Sequence, residues 1–445
     1  MAEPRVSSKQ LLAYGVPVLG ASYLLFFLQF YFLKYATDVL LLSPAIVGVL
    51  FSLAKTWDGF SGPLIGSFSD RSRSRFGRRR PFMLAALTPL AVGFGMLWVI
   101  PHALGGPALI AWIAVALFVF YIGFDLYALP HQALGAELSR EPHQRTRLFA
   151  VRHMSFTVGI LLAFGGIQVA MNAEQPRQMA AELAIPAILI SLALLAIPPL
   201  ALREPAVGGE RGGRGLLPAL RDVLSTRPAR QLLLVNFIES AGIGAVGTMA
   251  PYIAEYLLRR PEVVGLLPAA YVISSVASIP IWVRVSKSFG KRDTWLASMV
   301  MAACAFAGMW FVGEGDLMLL LALLVVAGCA MGCGGVLGNS IMADVIDVDE
   351  RRTGERKEGV YSAAMTLVLK VGTALATAAS GIVMTATGFV ANAVQTEESL
   401  FGIRLIFAGL PFLGFAAGAL LFRNFSLDDD PGAPPARAVT VPSAP

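Results

Sequence analysis

Charge is scarce in this sequence: Asp, Glu, Lys and Arg together make up 14% of its 445 residues. A soluble domain carries about a quarter, so the deficit excludes an ordinary aqueous surface for most of the chain. Histidine is rarer still, with four residues, and cysteine numbers three. Cys304, Cys329 and Cys333 all fall inside apolar runs, where helix packing is their ordinary role. Cys329 and Cys333 share a helix face, but no histidine or further cysteine stands nearby to complete a metal site. Three such residues make no disulfide framework of a secreted domain. A phosphate-cradling G-x-x-x-x-G-K loop is missing, as is any histidine cluster with ligand spacing. These absences argue against an enzyme, a resident cofactor or a structural metal. The net charge of +6 is no nucleic-acid footprint either, because the basic residues sit in short loops between apolar runs.

What is abundant is hydrophobic residues, at 56% of the chain. A bilayer-spanning helix needs about 20 mostly apolar residues, and lipid leaves each such run no choice but to be helical. Twelve runs are present, at about 11–36, 45–69, 82–101, 108–136, 147–171, 183–202, 230–256, 263–284, 293–313, 317–343, 359–388 and 400–423. The polar segment Met1–Gln10 precedes the first run, and no convincing small-x-small cleavage site follows it, so that run reads as a retained helix.

The longest break, Arg203 to Arg230, holds six arginines and two Gly-Gly pairs. It divides the chain into an N-terminal six-helix bundle over 1–202, a cytoplasmic linker over 203–229 and a C-terminal six-helix bundle over 230–424. A Pro- and Ala-rich tail over 425–445 has the composition of disorder. Loops 70–81, 138–147, 203–230, 284–292 and 344–358 hold 23 Lys and Arg, against 4 in the intervening loops. The positive-inside rule then puts both termini in the cytoplasm, as in a multi-pass protein of a bacterial-type inner membrane. Ser74-Arg75-Phe76-Gly77-Arg78-Arg79-Arg80 is echoed by Ser288-Phe289-Gly290-Lys291-Arg292, as two pseudo-symmetric halves would require.

Ionisable residues at bilayer depth are the most informative features. Asp58 lies near the middle of the second run, Asp125 in the fourth and Lys370 in the eleventh. A charge there costs several kcal/mol, from about 2.5–3.5 upward, unless it is paired or faces water. The three either line a central passage as coupling groups or form a buried structural pair. A carboxylate among apolar helices can take a proton from one side and release it when wetted on the other. Glu239 with Asn236 is a further polar pair, readable as coupling machinery or as a satisfied hydrogen bond. His102, His143 and His153 sit near run ends, where a surface role is the default.

Trp57-Asp58-Gly59-Phe60-Ser61-Gly62-Pro63, with Ser69-Asp70-Arg71 and Phe76-Gly77-Arg78-Arg79-Arg80-Pro81, resembles the helix 2 and loop 2–3 signature of the major facilitator superfamily (MFS). More narrowly it resembles the glycoside–pentoside–hexuronide:cation symporters. Leu134-Gly135-Ala136-Glu137-Leu138 with Arg145-Thr146-Arg147 is similar to that family's loop 4–5. Ala343-Asp344-Val345-Ile346-Asp347 with Glu358-Gly359-Val360-Tyr361 and Lys370 is similar to its loop 10–11 and helix 11. The resemblance implies an all-α MFS fold of 12 transmembrane helices and symport of a sugar or glycoside with H+ or Na+.

Departures from the family pattern bear on mechanism. Melibiose-type carriers bind sodium with two helix 2 acids four residues apart; Asp58 matches the first, but the second position is Gly62. Asp125, at that family's helix 4 sodium position, partly compensates, so a Na+ site at Asp58 and Asp125 stays open beside proton coupling. The two acids that clamp a galactosyl group fall on Ser22 and Ala128. Ser22, Tyr23, Gln29, Phe124, Tyr127, His131, Gln132 and Lys370 are the candidate cavity lining, suited to a sugar ring or equally to a lysolipid-like amphipathic solute. Arg71, Arg78, Arg79, Glu137, Arg147 and Arg152 are expected to face Asp344, Asp347 and Glu358 across a cytoplasmic gate. A small-molecule substrate and the lipid bilayer are the expected partners, of a monomer that binds no nucleic acid.

Overall fold

The computed structural model describes residues 6–72, 74, 76–139, 141–202, 204, 223–224, 226–353 and 358–426. The side chains of Asp58, Asp70, Arg71, His143 and Glu358 lie outside that description. So do most of the expected linker over 203–229 and nearly all of the expected tail. Among the described residues every regular element is helical: α1 Ser8–Gly15, α2 Val18–Asp38, α3 Pro44–Arg71, α4 Arg80–Trp98, α5 Gly106–Glu137, α6 Pro142–Met171, α7 Pro176–Ala201, α8 Arg227–Tyr252, α9 Leu266–Phe289, α10 Lys291–Met309, α11 Leu317–Thr353, α12 Glu358–Ala386, α13 Glu397–Arg404 and α14 Leu410–Phe422.

Local sequence chemistry sets many of these bounds. Each helix from α3 to α8 carries proline at its first or second position, where the missing N–H costs nothing. Pro17, which has no N–H to give the helical ladder, lies at the break between α1 and α2. Single π-helical turns, Ile253–Leu257 and Leu405–Gly409, prolong α8 and join α13 to α14.

Among the described residues ten helical segments are long and apolar enough to cross a membrane, counting α1–α2 and α13–α14 as one each. Large apolar side chains such as Leu189, Ile190, Phe311 and Leu420 point outward, as lipid contact requires and water would penalise. The protein is therefore an integral, multi-pass membrane protein. Helices α3 and α10 lie between these ten, with 28 and 19 residues.

Two segments depart from expectation. The stretch after Ile341, expected as a loop from 344, stays helical to Thr353, and Arg145 and Arg147 lie inside α6 rather than in a loop. Both extensions are polar continuations of apolar helices, for which hydropathy gives no signal.

Helices α1–α7 pack among themselves and α8–α14 do likewise, with α3 against α12 the most extensive interhelical contact of all. That contact joins the two sets. Glycine lets the two backbones approach: a β-carbon on Gly381 would stand 2.1 Å from the Pro44 carbonyl oxygen and 3.2 Å from the Gly48 Cα. Gly381→Ala is expected to force α3 and α12 apart and lower stability by about 1–3 kcal/mol, read as the thermal midpoint in detergent.

Candidate functional site

Three helices meet at Asp125. Lys370 on α12 donates to both of its carboxylate oxygens, at 3.0 and 3.3 Å, and Ser61 on α3 donates to Oδ2 at 3.2 Å. Asp125 is 3% exposed at its side chain and Lys370 25%. The pair therefore links the two helix sets through groups 245 residues apart. Gly62 explains part of the geometry: a β-carbon there would lie 3.5 Å from Asp125 Oδ2. The helix 2 position without an acid thus faces the carboxylate that α5 supplies. Asp58 lies three residues before Ser61 on α3.

A second lysine belongs to this region and escaped the sequence reading. Lys55 of α3 is buried, its Nζ 5.5 Å from the centroid of the Phe51 ring. Lys55 and Asp58 stand at i, i+3 on α3, a spacing that puts neighbours on one helix face.

The candidate lining residues divide. Tyr127 and His131 are buried: the Tyr127 hydroxyl donates to the Leu195 carbonyl at 3.1 Å, and His131 Nε2 sits 2.9 Å from the Tyr14 carbonyl oxygen with its ring stacked on Tyr14 at 4.5 Å. Ser22 is buried too, donating to its own helix at Val18 and packing against Gly159. Tyr23 stacks on Phe27 and rests its hydroxyl beside Gly166, and Phe124 stacks on Phe120. Gln29 is half-buried, while Gln132 is exposed and shares a face of α5 with Asp125, seven residues on.

The basic loops form a well-built end. Arg78 and Arg79 donate to Glu137 Oε1 at 2.9 and 2.8 Å, and Glu204 accepts the backbone N–H groups of Arg78, Arg79 and Arg80 at 2.7, 2.9 and 2.9 Å. A carboxylate on the open N–H groups of α4 is a favourable anion seat. Gly77 has φ +104°, and a β-carbon there would strike Glu204 Oε1 at 2.5 Å, so the position demands glycine twice over. Asp344, expected opposite the first-half arginines, is instead held by Lys291 at 2.6 Å within the second half. Arg147 donates to Gln144, Asp347 accepts at its backbone oxygen from Arg351, and Arg152 lies beside Gly15. Arg71 and Glu358 lie outside the described side chains.

The opposite end carries a polar clasp that hydropathy hid. Lys34, 4% exposed, pairs with Asp38 on its own helix and with Glu255 at 2.8 Å on the prolongation of α8. Tyr256 donates to Asp38, Thr37 and Tyr252 share a 2.8 Å hydrogen bond, and Asn392 Nδ2 donates to the Asp38 carbonyl at 2.8 Å. The Lys34 Nζ also stands 4.1 Å from the Tyr256 ring centroid. Gln168 of α6 ties to Pro261 and Gly265 nearby.

An ion pair at bilayer depth between two helix sets, with a clasp at one end, is the build of a membrane transporter rather than of an enzyme. The sequence profile of the MFS/sugar transport protein family matches residues 13–429, so the chain belongs to that family. It is 26% identical to an uncharacterized symporter of Synechocystis sp. over 93% of each chain. It is 25% identical to the isoprimeverose transporter of Lactiplantibacillus pentosus, covering 89% of this chain and 84% of that one. The glucuronide carrier protein homolog of Escherichia coli is 23% identical over 86% of this chain and 84% of its own. Among solved structures, the nucleoside transporter NupG superposes with a TM-score of 0.69 at 14% identity, covering 93% of this chain and 99% of that one. That likeness concerns the fold.

Proposed function

We propose that the protein is a secondary active carrier, twelve transmembrane helices in two six-helix bundles, that moves a sugar or glycoside with H+ or Na+ by alternating access. The reading counts α3 and α10 as spans beside the ten apolar segments. Both termini and the basic loops lie in the cytoplasm of a cell with an inner membrane, and the clasp lies outside. The observation that carries the reading is the Asp125–Lys370 pair between the bundles. A pair made between rocking bodies is made in one state and remade in the other, which ties the charge state of the site to its access. Carriers of an isoprimeverose and of a glucuronide type among the relatives support a sugar as cargo.

In this reading Asp58, Asp125 and Lys370 are the coupling groups. Lys370 occupies the cation seat on Asp125 while that seat is empty of transported ion, and H+ or Na+ displaces it. Gln132, on the Asp125 face of α5, and the half-buried Gln29, Tyr23 and Phe124 are the cavity side. Tyr127, His131 and Ser22 hold that wall from behind. Arg78, Arg79 and Glu137 brace the cytoplasmic end of the first bundle.

Uptake into proteoliposomes tests it, using isoprimeverose, a glucuronide and a lysophospholipid with an imposed pH or sodium gradient. A sugar accumulates and the lysophospholipid does not; the reverse outcome moves the cargo to amphipathic solutes, and no uptake of any member removes the carrier reading. Asp58→Asn is expected to abolish gradient-driven accumulation in the same assay while the folded protein remains in the membrane. Full concentrative uptake by that variant takes Asp58 out of the coupling role.

A further inference from the structure

Glu239 of α8 is a buried acid apart from the Asp125 site. It is 6% exposed, and its Oε1 accepts a 2.7 Å hydrogen bond from the indole Nε1 of the fully buried Trp295 of α10. The carboxyl lies flat on α11: a β-carbon on Gly334 would stand 2.5 Å from Oε2 and 2.6 Å from Oε1. At Gly338, one turn on, a β-carbon would meet Trp295 and Asn236 only at ordinary contact distance, 3.4 and 3.5 Å, so the tight spot is Gly334. The glycine-rich run of α11 is thus shaped around this carboxyl as well as around helix packing.

Charge compensation is what the site lacks. Among the described residues no Lys, Arg or His makes an ion pair with Glu239, in contrast to Asp125. The titratable groups that sense it are Tyr271 of α9 and Cys333 of α11, neither of which brings a positive charge. From α12 the nearest cation is Lys370, which is bound to Asp125; α14 offers no titratable group; Lys34 and Asp38 of α2 are in the clasp; Lys291 of α10 holds Asp344. A buried anion with a single neutral donor is left several kcal/mol short. A metal cation would need further oxygens, but one side is closed by Gly334 and the other by an indole. The smallest cation fits: a proton. On α11 a β-carbon on Gly335 meets nothing within 4 Å, and Asn339, on the same face, is exposed.

We propose that Glu239 is a proton-binding site of the second bundle, separate from Asp125, that exchanges its proton with water along the Gly335–Asn339 face of α11. Trp295 is its positioning residue and its natural reporter. This claim does not rest on the nature of the cargo.

The test uses the purified full chain in lipid nanodiscs and needs no substrate. Infrared difference spectra are recorded across steps between about pH 5 and pH 9, the range in which a perturbed carboxyl titrates. The wild type shows the carbonyl band of a carboxylic acid that disappears as pH rises, accompanied by a change in tryptophan emission. Glu239→Gln keeps an acceptor oxygen for Trp295 and is expected to lose that band and the emission change, in a background of Asp125→Asn as well. Trp295→Phe keeps the band but shifts it, because the carboxyl loses its donor. A titrating band that survives intact in Glu239→Gln, or a band that neither titrates in the wild type nor moves in Trp295→Phe, overturns the proposal.

Discussion

Replacing Lys34 with alanine is expected to open the end of the molecule opposite the basic loops. Lys34 is the centre of the clasp: it sits between Asp38, Glu255 and the Tyr252 and Tyr256 rings, and its contacts to Glu255 and the two tyrosines cross between the two helix sets. Removing one member of a buried pair costs about 3–5 kcal/mol, because the partner keeps its desolvation penalty and loses its counter-charge. Asp38, 7% exposed at its side chain, is the group left behind. The sealed state bears that cost; an open state, in which water reaches Asp38, escapes it. At about 1.4 kcal/mol per factor of ten, the equilibrium moves toward the form open at this end by roughly a hundredfold or more. Spin labels at Leu41 and Val394, both exposed at this end and in different bundles, report the shift as a longer distance population, with the three native cysteines replaced. Glu255→Gln, which keeps a hydrogen-bond acceptor at a position 32% exposed, is expected to shift it less. Identical distance distributions in wild type and Lys34→Ala would show that the clasp does not hold the closed state.

Hydropathy and loop charge made most of the architecture legible, because lipid allows one backbone solution and each span must declare itself by about 20 apolar residues. Asp125 and Lys370 were legible for a related reason: a charge in an apolar run stands out against its neighbours. That they touch was not, since no spacing rule links residues 245 apart. The clasp was missed although Lys34 and Asp38 are i, i+4, because at the end of a run they read as loop charges, and Glu255 and Asn392 belong to distant loops. Glu204 was missed for its short reach in sequence from the linker and its long reach in space, to the N–H groups of α4. His131 and Tyr127 show the converse: polar side chains on a cavity-lining helix can turn inward to backbone carbonyls, and one-dimensional spacing cannot tell that face from the wet one. Arg78 and Arg79 meet Glu137, an acid on a different helix, which no spacing along the chain announces.

Lys370→Ala carries the argument about the transported ion furthest. In the wild type the ammonium fills the seat on Asp125 at 3.0 Å, so an added cation competes with an internal one. Without it, Asp125 loses its ion pair while Ser61 still donates, and the folded protein is expected to lose about 3–5 kcal/mol. The double variant Asp125→Ala with Lys370→Ala is expected to regain most of that loss, since no lone charge remains, and this non-additivity separates a pair from two independent packing residues. The vacated seat then becomes an assay for the ion. A cation that binds the folded form alone raises stability in proportion to the logarithm of its concentration above Kd. If Na+ is the coupled ion, NaCl raises the thermal midpoint of Lys370→Ala more than equimolar choline chloride does, and Asp125→Ala abolishes the difference. If H+ is, lowering the pH restores the midpoint of Lys370→Ala and sodium adds nothing beyond choline, because one proton neutralises the carboxylate that the lysine no longer serves. A midpoint indifferent to both, in a variant as stable as the wild type, would make Asp125–Lys370 a dispensable contact and leave the cation pathway to be sought at Asp58 and Lys55.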